Sequence, residues 1–314
     1  MGVASCLQER QFLDPERSIL GGSSAGAIVV ATIGCGLNPI VGLEGTIAIS
    51  DICLDRGMTA RGNLLPLLNQ QMESLIDDEN FNFLQQRQLH FNQQQEERID
   101  METETNKEMD TDDTRRIGTG AYLAYKEIFP QRKSHFQDKF DSKEDLFRVV
   151  GYSCMFPFFT TNFPFIIDTM NNNNSNKNNG SSSDGNSNRL QLPRFVMDGY
   201  FALPREQFGC PIFEQDNVLP TNNGSSSTGQ NLVDRTVAIT CIPQEIFGME
   251  DVFNTNNNNN NLISISTDDD FTISDIFRIA TMPSSRKELT DLYERGYRDG
   301  EQWCHREEKN KYVS

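Results

Sequence analysis

The chain has 314 residues, room for one large or two small domains with a substantial core, and only 36% are hydrophobic, a deficit that sits in Asn- and Ser-rich tracts. A formal net charge of −17 with no offsetting Lys/Arg stripe repels phosphate backbones, arguing against nucleic acid as a partner and against electrostatic docking on anionic membranes. Seven scattered cysteines with no C-x-x-C pair read as reduced thiols rather than a disulfide scaffold or zinc site, and no ligand cluster implies a metal or organic cofactor.

The opening "MGVASCLQERQFLDPER" lacks the basic start and apolar run of a secretory signal, and Cys6 stands where myristoylation wants Ser or Thr. Residues 1 to about 66 are apolar and Gly-rich. Within them, "SILGGSSAGAIVVATIGCG" (18–36) reads as a short strand, a G-x-S-x-G and a helix. From Ile19 to Leu43 no residue is charged, long enough to suggest a membrane span. Gly34, Gly36 and Asn38-Pro39 break that run, so the expectation is a buried core helix of about ten residues after Ser24. Residues 67–113 are Gln- and acid-rich and read as a polar, partly disordered insertion.

Order resumes at "RRIGTGAYLAY". In "FDSKEDLFRVVGYSCMFPFF", Ser142 followed by Asp145 caps a predicted helix with Leu146, Val149 and Val150 on one face. The apolar runs "VGLEGTIAI" and "MFPFFTTNFPFII" read as ordinary core, with an acyl-chain pocket or lipid-facing patch as the functional alternative. Three tracts, 171–188, 221–230 and 254–261, are low-complexity and expected to be disordered loops. Between them "RFVMDG" and "RTVAITCI" are strand candidates. Ser285 with Glu288 caps a last helix in which Leu289, Leu292, Tyr293, Gly296, Gly300 and Trp303 fall at helical spacing.

The residues Gly22-Ser23-Ser24-Ala25-Gly26 carry the chemical signal. At a strand-to-helix turn, this pattern exposes a serine hydroxyl and points the first amide of the helix, that of Ala25, toward a developing oxyanion. Ser24 is the central candidate and Ser23 the lesser one; the bland alternative is a small-residue cluster in a packed helix. A serine nucleophile needs a base. The three histidines offer little: His90 lies in the Gln-rich segment, and His135 precedes the capped helix. His305 follows Ser24 and Asp198 in the chain order of an α/β-hydrolase triad. Asp198, in "PRFVMDGYFALP", lies at a strand end before Gly199, where a carboxylate can reach a serine directly; an Asp-Gly pair is otherwise a turn.

These stretches together resemble the patatin-like phospholipases, most closely their triglyceride-lipase and adiponutrin branch, which use a Ser–Asp dyad without histidine. "GVASCL" resembles the helix after that family's glycine-rich loop, and "GGSSAGA" its elbow, placing the nucleophile on Ser24. "RFVMDGYFALP" resembles its V-D-G-G segment, placing the base on Asp198, with Tyr200 standing where the family has a second glycine. "SHFQDKFDSKEDL" and "ERGYRDG" match further stretches in the same order. The resemblance implies an α/β fold, a three-layer α/β/α patatin-like domain over 1–306 with a mostly parallel central sheet and a tail at 307–314. It implies elbow and oxyanion roles for Gly22, Ala25, Gly26 and Gly199. The implied function is a serine acyl-ester hydrolase, a lipase acting on triacylglycerol or another glycerolipid ester, with a phospholipase A-type acyl hydrolase as an alternative. It would be cytoplasmic, at lipid droplets or a membrane surface, with an activator protein as a further partner. The family's glycine-rich oxyanion loop and first strand precede "GVASCL" and are not in this sequence. That departure implies either a chain that starts downstream of them or a catalytically impaired, lipid- or partner-binding relative.

Overall fold

The computed structural model describes residues 1–60, 62–87, 89, 120–155, 157, 160–168, 193–203, 236–241, 262–268 and 270–311. His90 and the three low-complexity tracts therefore lie outside the described residues, as do 88 and 90–113 of the expected insertion. The fold is mixed α/β. Helix α1 (Gly2–Glu9) is followed by strand β1 (Leu20–Gly22) and helices α2 (Ala25–Gly34), α3 (Pro39–Arg56), α4 (Leu64–Leu75) and α5 (78–87). Then come β2 (Ala121–Phe129), β3 (Lys133–Gln137), α6 (Lys143–Ser153), β4 (Ile166–Asp168) and β5 (Arg194–Met197). The last part holds β6 (Ala238–Thr240), β7 (Leu262–Ser264), α7 (Ile273–Thr281) and α8 (Arg286–Lys311).

The expected ten-residue helix is α2, apolar on every side, as a helix packed between other elements must be. The break after it is a cap: Asn38 Oδ1 accepts from the Ile40 amide at 2.9 Å, with Pro39 at the first helical position of α3. Among the described residues, no helix is long and apolar enough to cross a membrane. The Ser142 cap is formed as read, its Oγ accepting from the Asp145 amide at 3.2 Å, and Leu146, Val149 and Val150 are buried. The Ser285–Glu288 box is likewise closed by reciprocal bonds.

The central sheet is mixed, not mostly parallel. β1 runs parallel to β2, whereas β3, β5 and β4 join through antiparallel pairings. The hairpin between β2 and β3 is too short for a parallel crossover, which takes a dozen or more residues. β6 and β7 form a separate parallel pair. The register along β2 decides the site. Leu123 faces Gly22 on one edge and Gln137 on the other, while Lys126 faces Met197 on one edge and Ser134 on the other. With β3 on one edge from Leu123 to Glu127, β1 and β5 share the opposite edge end to end, and their C-terminal ends point at each other across Ala124–Tyr125.

Two further differences from the sequence reading concern extent. Residues 67–87 are not polar insertion: Leu67, Leu68, Met72, Ile76, Phe81 and Leu84 are all buried, most of them in one cluster with α2, β2 and α6. The Gln-rich composition hid them because the apolar residues occupy one stripe of each helix. Likewise, 307–314 is not simply a tail, since α8 runs to Lys311 and Glu307 is buried. The "ERGYRDG" stretch lies where α8 meets α1. A Cβ on Gly2 would sit 1.9 Å from the Tyr293 carbonyl oxygen, and one on Gly300 3.0 Å from Cys6 Cβ, so glycines allow the two backbones to approach closely.

Replacing Leu84, 1% exposed, with Ala is expected to lower stability by about 2–5 kcal/mol in urea unfolding followed by circular dichroism. A change within a few tenths would place α5 outside the core.

Candidate active site

The elbow is built by contrast between its neighbours. β1 ends at Gly22, α2 begins at Ala25, and Ser24 between them adopts φ 52°, ψ −128°. Positive φ is uncommon for a residue with a Cβ and marks a turn imposed by its surroundings. A side chain on Gly22 would lie 2.4 Å from the Gly26 carbonyl oxygen, so this glycine is required for the turn to close. Gly26 is different: a Cβ there meets nothing within 4 Å beyond its own helix and chain neighbours, so the space beside it is open. Ala25 is exposed at the start of α2, and its amide belongs to the first turn, whose N–H groups have no intrahelical acceptor.

Asp198 follows β5 directly and is 0% exposed. Its Oδ2 accepts from Ser24 Oγ at 3.0 Å, joining residues 174 apart in sequence, and its Oδ1 accepts from the Tyr200 amide at 2.8 Å. The second bond also makes Asp198 the cap of a 3-10 turn over Gly199–Ala202, so the turn reading holds, and the same side chain accepts the Ser24 hydroxyl. Gly199 has no room for a substituent: a Cβ would fall 2.1 Å from the Ala124 carbonyl oxygen. Burial raises the Asp198 carboxyl from its ordinary 3.8 to about 6, with the Tyr200 and Ser24 hydrogen bonds pulling the other way. Both donors are neutral, so desolvation wins. The result is a carboxylate that is ionised at neutral pH yet a stronger base than an exposed aspartate.

The histidines stand elsewhere. His305 is an exposed residue on α8 with Nδ1 3.6 Å from Glu308 Oε2, one turn along the same helix. His135 is a β3 residue stacked on Tyr125 at 4.8 Å, with Nε2 3.1 Å from Glu127 Oε2. Burial and the neighbouring Arg194 lower its pKa. Ser23 brackets the elbow through its carbonyl, which accepts from the Gly26 amide at 2.8 Å. Tyr200 and Phe201, 40% and 43% exposed and packed edge to face, follow Asp198-Gly199 in the chain. Among the described residues, no group of three or more His, Cys, Asp or Glu side chains gathers to hold a metal ion.

Sequence reasoning missed two features of the site. One is the segment Ser153-Cys154-Met155 at the end of α6, which touches both Ser24 and Asp198. The other is the ion cluster at the start of β5, where Arg194 donates to Glu127 at 2.9 Å and to Asp168 at 3.4 Å. Neither has a local signal, because each is a set of contacts between distant strands. In comparisons with known proteins, no family model, no curated protein and no solved structure matches this chain.

The raised proton affinity of Asp198 makes stability depend on pH. Between about pH 3.8 and 6 the folded chain keeps a proton that the unfolded chain releases, so stability falls as pH rises through that window. Asp198→Asn keeps an acceptor for the Tyr200 amide without the buried charge. It is expected to be more stable than the parent by about 1–3 kcal/mol at alkaline pH, because each tenfold change in proton affinity on folding is worth about 1.4 kcal/mol. The difference should vanish well below pH 3.8, as read by urea midpoints across pH. An unchanged midpoint at every pH would mean that the carboxylate is not desolvated.

Proposed function

We propose that the chain is a serine acyl-ester hydrolase of the patatin-like kind, working through a Ser24–Asp198 dyad on glycerolipid esters, with triacylglycerol as the first substrate to test. The observation that carries this reading is the 3.0 Å hydrogen bond from the Ser24 hydroxyl to the buried Asp198 carboxylate, with Ser24 held at positive φ between a strand and a helix. A small-residue packing motif needs neither the strained turn nor the carboxylate.

In this reading Asp198 Oδ2 takes the Oγ proton as Ser24 attacks the ester carbonyl, forming a C–O bond and a tetrahedral oxyanion. The Ala25 amide, at the positive end of α2, is one donor to that oxyanion. Collapse breaks the bond to the alcohol, which leaves with the proton from Asp198. Water, deprotonated by the same carboxylate, then attacks the acyl-enzyme and releases the fatty acid, returning the proton to Ser24. One group serves as base and acid in turn, and a carboxyl titrating near 6 is suited to both directions.

The open space at Gly26 and the exposed Tyr200–Phe201 pair support an apolar substrate reaching the dyad. The overall charge of −17 favours a neutral lipid surface over an anionic one. Cytoplasmic residence at lipid droplets or a neutral membrane surface, and an activator protein, complete the proposal by analogy with the family that the motifs resemble.

A fluorophosphonate probe is expected to label Ser24 and not Ser24→Ala, and hydrolysis of a soluble p-nitrophenyl ester to require both dyad members. Asp198→Asn should reduce kcat/KM by about 10²–10⁴-fold. The parent's kcat/KM should fall tenfold per pH unit below about pH 6 and stay flat above it, because only the carboxylate accepts the proton. His305→Ala should leave the rate unchanged. Loss of activity in that variant, or labelling that survives removal of Ser24, would overturn the dyad.

A further inference from the structure

Ser24 sits where the β1–β2 ladder should make its next rung. Gly120 accepts from the Leu20 amide at 2.6 Å, and carbonyls two residues apart on a strand point the same way, so the Ala124 carbonyl also faces the edge shared by β1 and β5. Had β1 continued, the Ser24 amide would bond to it. The chain instead turns away into the elbow, and the buried Ser153 hydroxyl fills the gap. The Ser24 amide donates to Ser153 Oγ at 3.0 Å, and Ser153 Oγ donates to the Ala124 oxygen at 2.6 Å. A side-chain hydroxyl thus relays one ladder bond across the space opened by the turn.

The next two residues continue the pattern. Cys154 Sγ donates to the Ser24 carbonyl oxygen at 3.1 Å, so consecutive side chains hold both backbone polar groups of the nucleophile. Met155, 0% exposed, accepts the Asp198 amide on its carbonyl at 3.1 Å. Ser153 also packs on the base's neighbour, since a Cβ on Gly199 would lie 2.7 Å from its Oγ. Three successive residues therefore tie the nucleophile to the base through their backbones, in addition to the side-chain bond between Ser24 and Asp198.

We propose that Ser153-Cys154-Met155 is the positioning bridge of the dyad, and that Ser153 is the positioning residue that holds Ser24 in its strained turn at hydrogen-bonding distance from Asp198. This rests on the dyad reading for its catalytic consequence, but the bridge itself is a structural claim. The Ser24 backbone, whose ladder has ended, would relax without an acceptor for its amide. Misplacement by about 1 Å costs on the order of 10²-fold in rate.

The test uses the full chain as parent, Ser153→Ala, Cys154→Val and Cys154→Ser. Steady-state kinetics on a soluble p-nitrophenyl ester are normalised to sites titrated by a fluorophosphonate, and backbone hydrogen exchange is followed over 22–27 and 194–199. Ser153→Ala is expected to lose about 10–100-fold in kcat per titrated site with KM unchanged and the acidic limb in place. Exchange should accelerate in both segments and not elsewhere. Cys154→Val should show a smaller loss of the same kind, and Cys154→Ser, which restores a donor, should recover it. Parent-like kcat per site in Ser153→Ala, or acceleration spread evenly over the protein, would overturn the bridge. If Ser153→Ala does not fold, the Val and Ser variants at 154 decide by the same criteria. Should the parent take no label at Ser24, the hydrolase reading fails separately, and the exchange data alone judge the bridge: local acceleration upholds it and unchanged exchange overturns it.

Discussion

The hydrogen bond between Ser24 Oγ and Asp198 Oδ2 depends on an unusual strand arrangement, and much of the molecule is organised to make it. β1 and β5 lie along one edge of β2 with their C-terminal ends approaching, one parallel to β2 and the other antiparallel. Each strand is short, three and four residues, so each ends before it would collide with the other. The space left over Ala124 and Tyr125 is where the Ser24–Asp198 pair sits. A continuous strand at that edge would satisfy the ladder and leave no site.

Holding that space open costs stability. A non-glycine residue at positive φ is strained by about 1–3 kcal/mol, and a buried carboxylate without a cation adds the cost of its lost hydration. The offset comes from the surroundings. Leu123, Tyr125, Val149, Val150 and Val196 are buried in one cluster with the apolar α2, so the elbow is anchored by core on both sides of its turn. Gly22 and Gly199 contribute by what they lack, each leaving room for a backbone carbonyl that a methyl group would displace.

The charges near β5 are segregated along its length. Arg194 begins the strand and spends its guanidinium on Glu127, Asp168 and the Tyr125 hydroxyl. Asp198 lies four residues on, about 13 Å along an extended chain. The cation is thus engaged at one end and Asp198 faces neutral donors at the other, which is why burial rather than a neighbouring charge governs the Asp198 carboxyl. A guanidinium beside Asp198 would depress its pKa and weaken it as a proton acceptor.

The sequence by itself determined the local elements. The elbow, α2, the Ser142 and Ser285 caps and the strand before Asp198 were legible because each is set by neighbours within one or two turns. It also named Ser24 and Asp198 as candidates. What it could not supply was strand direction, the core role of α4 and α5, or the contacts of Ser153 with Ser24 and Ala124. Strand pairing depends on which edges remain free after the others have docked, and nothing within "RFVMD" records that it runs antiparallel to "AYLAYKEIF". Only the tertiary structure decided that a carboxylate and a hydroxyl 174 residues apart share a hydrogen bond, because that contact is a property of three strands and one helix end at once.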